Sequence, residues 1–290
     1  MKLSASLIFF GVFIVNLTLA ILKLAWGYLS HSLTMIADGF HSLLDVLANF
    51  IGFIAVKISH KEPDSNHPYG HRKFEALAAI VISFFMFFAS YEIFSESINR
   101  FLTHNLIAPV VSFPSYLIMI ISVIANISVS KLELYFGKKL NNQLLISDAK
   151  HTASDLLASL MVFISLFAVS LKLPVLDIVF SLLIVLFILK AGYDIILDYL
   201  GSLVDAAVLD TKQVEALVLG VTGVVSCHNI RSRGFKDYIF LDLHIHVLPN
   251  LRIKQAHEIA DLVESQLKTN LPNIKDIMVH IEDEGHLSST

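Results

Sequence analysis

Two stretches of this 290-residue chain carry ionisable side chains at one repeated spacing. The first is Asp38-Gly-Phe-His41-Ser-Leu-Leu-Asp45, and the second is Asp148-Ala-Lys-His151-Thr-Ala-Ser-Asp155. Both continue as x-Leu-Ala, so the shared pattern is D-x-x-H-[ST]-x-x-D-x-L-A. On a helix, residues i and i+4 lie one turn apart on one face. His41 therefore pairs with Asp45, and His151 with Asp155. Two such pairs facing each other present two imidazole nitrogens and two carboxylate oxygens. That donor set suits tetrahedral Zn2+. Fe2+, Cd2+, Co2+ and Mn2+ remain open, because affinity order does not separate them. Ca2+ would call for more oxygens. Asp38 and Asp148 stand one turn before the pairs and read as supports for the ligands or as groups on the ion's route.

Two further groups have ligand character. Asp64, His67 and His71 form D-x-x-H-x-x-x-H, with Pro68 and Gly70 inside it. Those two residues argue against a regular helix, so loop geometry must gather the ligands. The bland alternative is a solvated loop. The tail holds His228, His244, His257, His280 and Glu282. His280 and Glu282 share one face of a strand at i, i+2, and His244 lies on the face of its strand away from the core. Singly each is an ordinary surface group; as a cluster they form a third candidate. His246 reads as an exposed strand residue.

The elements that position these groups are mostly apolar. The chain is 55% hydrophobic and 16% charged, with mean hydropathy +0.70. Soluble domains carry about 25% charged residues, so the deficit marks a membrane protein. Six stretches reach spanning length, at residues 7–29, 33–57, 74–97, 109–131, 145–171 and 174–198. The second and fifth contain the His/Asp pairs, although a charge at a span's centre costs roughly 2.5–3.5 kcal/mol. The motifs sit three spans apart, which makes their helices antiparallel, as in inverted-repeat transporters.

Charge sets the expected orientation. Lys57, Lys61, Arg72 and Lys73 flank one loop, and Lys131, Lys138 and Lys139 another, whereas the loops at 28–33 and 98–108 offer only Arg100. The positive-inside rule puts the basic loops and both termini in the cytoplasm. Met1-Lys2 precedes an apolar run that continues through Trp26, which reads as a retained span rather than a cleaved leader. The net charge of −4 gives no footprint for nucleic acid. One cysteine, Cys227, excludes an intrachain disulfide and a multi-cysteine zinc site.

After Ala206 the apolar runs shorten. A short helix near 214–221, strands at 224–233 and 238–247, a helix at 254–267 and a strand at 276–282 give the order α-β-β-α-β. The expected domains are 1–206 in the membrane and 207–290 in the cytoplasm.

The paired H-x-x-x-D motifs, six spans and α+β tail resemble the cation diffusion facilitator family of metal/proton antiporters. The likeness is carried by Ala37 to Asp45 with Asn49, by Asp64-Ser-Asn-His67-Pro-Tyr-Gly-His71-Arg-Lys73-Phe-Glu75, and by the fifth span. It implies a six-helix transmembrane domain with a ferredoxin-like, metallochaperone-like cytoplasmic domain. His41, Asp45, His151 and Asp155 would form the transport site, with a second zinc site at Asp64, His67 and His71. A pair of regulatory zinc ions would sit on His228, His244, His257, His280 and Glu282, the last standing where Asp is common. The resemblance further implies a homodimer and a Lys73–Asp205 ion pair between bundle and cytoplasmic domain. It also points to a bacterial inner membrane. His at position 41 is more typical of zinc-preferring members, where some iron/zinc members carry Asp. The expected activity is proton-coupled zinc export by alternating access, since all four ligands titrate and metal competes with protons. An intramembrane zinc enzyme is disfavoured: there is no H-E-x-x-H, and four ligands leave no open position for water. A metal sensor or assembly partner with this fold but no transport is the other alternative, and a flux assay separates it.

Overall fold

The computed structural model describes residues 5–103, 109–139 and 143–283, without the side chains of 5–9, 143–145, 147, 148 and 154. Among the described residues six helices are long and apolar enough to cross a membrane. They are α1 (Ala5–Ser30), α2 (Leu33–Ser59), α3 (Lys73–Leu102), α4 (Phe113–Lys139), α5 (Gln143–Ser170) and α6 (Val175–Leu203). Several outrun their apolar windows because polar last turns still complete the helical ladder. Lys57 closes α2, and Lys138 and Lys139 close α4, where cations favour the carbonyl end. The chain falls into two compact units, Met1–Ile196 and Leu197–Thr290, with the division inside α6.

In the first unit the interior is made by Met35, Leu44, Met86, Ile93, Met119, Leu166 and Ile184. Large apolar side chains also point outward, among them Phe53, Phe84, Phe88 and Tyr91. Such an inverted surface is stable only against lipid, and helices suit lipid because they satisfy their own backbone groups. Small polar residues join the helices: Ser97 meets Ser181 at 3.0 Å, and Thr34 meets Ser165 at 3.1 Å. Glycines allow close approach of α1 and α2. A Cβ on Gly39 would lie 2.9 Å from the Leu24 amide nitrogen, and one on Gly27 2.9 Å from that of Ile36.

The first turn of α2 is sealed by a carboxylate from another helix. Asp177, on the first turn of α6, is buried. It accepts from the Leu33 amide at 2.7 Å, the Thr34 amide at 3.3 Å and the Ser32 hydroxyl at 2.8 Å. The orphan amides and the positive end of the α2 dipole are thereby met by an anion. This fixes the start of the helix that carries His41 and Asp45.

The second unit contains α7 (Thr211–Leu219), β1 (Val224–Phe235), β2 (Tyr238–Val247), α8 (Ile253–Asn270) and β3 (Ile274–Asp283). The sheet order is β1-β2-β3, antiparallel between β1 and β2 and parallel between β2 and β3. Ile239, Leu241, Leu243, Ile245 and Val247 alternate onto one face of β2 and are buried. They join Val214 and Val218 of α7 and Val263 and Leu267 of α8 in one core. Both helices thus cover one face of the sheet, which leaves the other face to the intervening residues.

Candidate functional site: three metal-ligand clusters

Inside the bundle, α2 and α5 bring their paired motifs together. His41 Nδ1 lies 3.6 Å from Asp45 Oδ2 along its own helix. Its Nε2 lies 3.6 Å from Asp155 Oδ1 across the helix interface. Ligand atoms of His41, Asp45 and Asp155 all fall within 4.8 Å of one another. His151 joins through Asp45, with Nε2 3.5 Å from Oδ1, and its side chain is half exposed. Three of the four expected residues therefore form a tight set, and the fourth stands beside it. The Asp148 side chain lies outside the described residues.

Asp38 has a partner that the sequence reading did not supply. Its Oδ2 lies 2.8 Å from Lys23 Nζ, both groups being buried. Lys23 is an isolated cation in an otherwise apolar first span, and that isolation was the available signal. Lys23, Ser42, Asp45, Asn126, Thr152 and Asp155 line one narrow cavity. Thr152 also reaches the buried Glu133 Oε2 at 3.2 Å.

The second cluster lies between α2 and α3, in irregular backbone as expected from Pro68 and Gly70. Gly70 has φ of +84°, and its amide donates to the His67 carbonyl at 2.9 Å. The turn places His67 Nδ1 3.3 Å from Asp64 Oδ1, and His71 Nε2 3.4 Å from Asp64 Oδ2. Amides of His67 and Asn66 donate to Asp64 at 2.7 and 2.9 Å. The His67 amide first of all holds the Asp64 carboxyl below the usual Asp range. An ionised carboxylate and two imidazoles are thus ready for a cation. His71 is buried, whereas Asp64 is half exposed.

The third cluster occupies the uncovered sheet face. Register sets His228 opposite His244, His244 opposite His280, and His246 opposite Glu282. Glu282 Oε1 lies 2.8 Å from His244 Nδ1 and 3.5 Å from His280 Nε2. Its Oε2 lies 3.4 Å from His228 Nε2 and 3.3 Å from His246 Nε2. The hydrogen bond from His244 leads the causes that keep Glu282 below the usual Glu range, followed by the charges of His228, His244 and His280. Two ligand triads result, His228/His246/Glu282 and His244/His280/Glu282.

His246 departs from the expected exposed position. It is buried, and its Nδ1 meets Ser226 Oγ at 2.7 Å. Its i+2 relation to His244 was the signal. His257 is not brought into this cluster within the chain. It sits on α8, which covers the opposite face of the sheet, and its Nε2 lies 3.8 Å from Asp261. Burial pushes the Cys227 thiol up to about 11, so it stays protonated and offers no thiolate.

A multi-pass helical bundle with an intramembrane His/Asp cluster, joined to an α+β domain with a histidine-rich sheet face, has the architecture of a metal-ion transporter. The family model described as "Cation efflux transmembrane domain" matches residues 10–204, and "Cation efflux protein, cytoplasmic domain" matches 208–284. The chain belongs to the cation diffusion facilitator, or cation efflux, family. It is an integral membrane transporter of divalent metal cations and not an enzyme. It is 33% identical to "Uncharacterized transporter MJ0449" of Methanocaldococcus jannaschii, over 92% of this chain and 94% of that one. It is 31% identical to "Metal tolerance protein C1" of Arabidopsis thaliana over 92% of this chain, which spans 60% of that longer protein. It is 30% identical to "Manganese efflux system protein MneS" of Bacillus subtilis, over 87% of each chain.

Proposed function

We propose that the chain exports Zn2+ from the cytoplasm in exchange for protons, by alternating access around His41, Asp45, His151 and Asp155. The observation that carries this reading is the convergence of His41, Asp45 and Asp155 within 4.8 Å inside the bundle, with His151 3.5 Å from Asp45. Two imidazoles beside two carboxylates favour Zn2+ over harder ions. Metal binding requires neutral imidazoles and ionised carboxylates, so protons entering from the far side displace the ion. Mn2+ is the second reading, favoured by the manganese efflux protein among the relatives.

Asp64, His67 and His71 form a second Zn2+ site. His228, His244, His246, His280 and Glu282 form a regulatory pair of sites, to which His257 adds a ligand only if another copy of the chain supplies it. The protein acts as a homodimer in a bacterial inner membrane, with both termini in the cytoplasm. Residues 207–290 act as the cytoplasmic domain.

The test is purified protein in liposomes that enclose a zinc-sensitive and a pH-sensitive dye. A zinc gradient should drive zinc inward and protons outward together, and excess Mn2+ should compete weakly. Zinc movement without proton movement contradicts antiport. Flux blocked by Mn2+ at far lower concentration than Zn2+ shifts the assignment to manganese.

A further inference from the structure

We infer that Lys23 and Asp38 together set the charge of the transport site, so that it is matched to one divalent cation. This rests on the reading of His41, Asp45, His151 and Asp155 as that site. Lys23 is 1% exposed, and Asp38 is 1% exposed. Each is costly alone at that depth, because an unpaired charge inside a bundle is expensive. The ammonium makes a close ion pair with Asp38 at 2.8 Å and donates to Ser42 Oγ at 3.1 Å and Ser159 Oγ at 3.4 Å. Ser42 directly follows His41 on α2, and Ser159 lies one turn beyond Asp155 on α5. The cation of α1 is thus fastened to both helices that carry the ligands. It also lines the cavity shared by Asp45 and Asp155.

The charges close only if Lys23 is counted. Asp45, Asp155 and Lys23 are the charged groups that line the cavity, and Asp38 offsets Lys23; the buried Glu133 stands behind Thr152, outside that lining. Two negative charges remain, which a divalent cation neutralises. With Asp38 removed, the ammonium turns its full charge on Asp45 and Asp155 and competes with the metal. With Lys23 removed, the site gains a negative charge and holds a cation more firmly. A clamp that merely holds α1 against α2 makes a different prediction, in which loss of either partner weakens binding alike.

The test is Zn2+ titration calorimetry on full-length protein in detergent. A background of Asp64→Ala and Glu282→Ala silences the other two clusters, and thermal melting checks that each variant folds. Asp38→Asn should weaken binding by at least about tenfold, as expected for an unpaired cation a few ångströms from the ion. Lys23→Met should bind as tightly as the parent or more tightly, and Lys23→Met/Asp38→Asn should return to near parent affinity. The double variant should fold, since a buried ion pair replaced by neutral groups of similar shape is commonly well tolerated. Equal weakening in both single variants with no recovery in the double overturns the inference in favour of a clamp. Binding retained by Asp45→Ala in the same background overturns the site reading itself, and this inference with it.

Discussion

Glu282 illustrates how much one carboxylate can organise: four imidazoles reach its two oxygens, at 2.8 to 3.5 Å. Its folded carboxyl titrates below the ordinary value of 4.5. A depressed acid contributes stability that is present above its unfolded value and lost as pH falls through the folded one. The metal-free protein should therefore lose stability of the second unit as pH drops below about 4.5, and Glu282→Gln should remove that dependence. Melting curves between pH 3 and 7 check this, and identical pH profiles for parent and variant would contradict it. His246→Ala should weaken metal binding in the domain by about tenfold or more, as loss of a ligand does, measured by zinc titration. The approach of His41, Asp45, His151 and Asp155 to one another was legible from type and spacing alone. Lys23 and Asp177 were not picked out, because a single charge has no spacing to read and its partner lies 15 or more than 100 residues away.

At the scale of elements, α2 is defined at both ends by chemistry outside its apolar run. Asp177→Ala should cost about 2–4 kcal/mol, since amides and hydroxyls lose a charged acceptor in a dry place. Thermal melting in detergent measures this, with reduced metal affinity at His41 and Asp45 as the functional echo. The loop after α2 depends on Gly70 at φ +84°. Gly70→Ala should cost about 1–2 kcal/mol locally and weaken Zn2+ binding at Asp64, His67 and His71, with α2 and α3 unchanged by circular dichroism. The existence of the loop followed from Pro68 and Gly70, yet the approach of His71 to Asp64 did not, because irregular backbone has no period to extrapolate. The sheet register was half legible. Alternation in β2 gave its buried face, but the irregularity between His228 and Arg231, with Asn229 at φ +49°, is a local backbone choice that decides which histidines meet.

For the molecule as a whole, sequence composition sorts the chain into an apolar part and a polar part before any motif is examined. Among the described helices span two is the weakest by hydropathy, and it meets span five where each carries a His/Asp pair that neither buries alone. That meeting of segments some hundred residues apart was inferred only from the match between the motifs, since no local signal encodes it. Metal that binds only the folded protein stabilises it by mass action. Chelation should therefore lower the melting temperature, and readdition of Zn2+ should restore it. The central claim is that His41, Asp45, His151 and Asp155 hold the transported ion. Zinc flux into liposomes reconstituted with parent protein, Asp45→Ala or Asp155→Ala tests it most directly. Each variant should lose flux by at least about a hundredfold, as when a ligand anion is removed from a buried site, with the melting temperature close to that of the metal-free parent. Undiminished flux in either variant would contradict it.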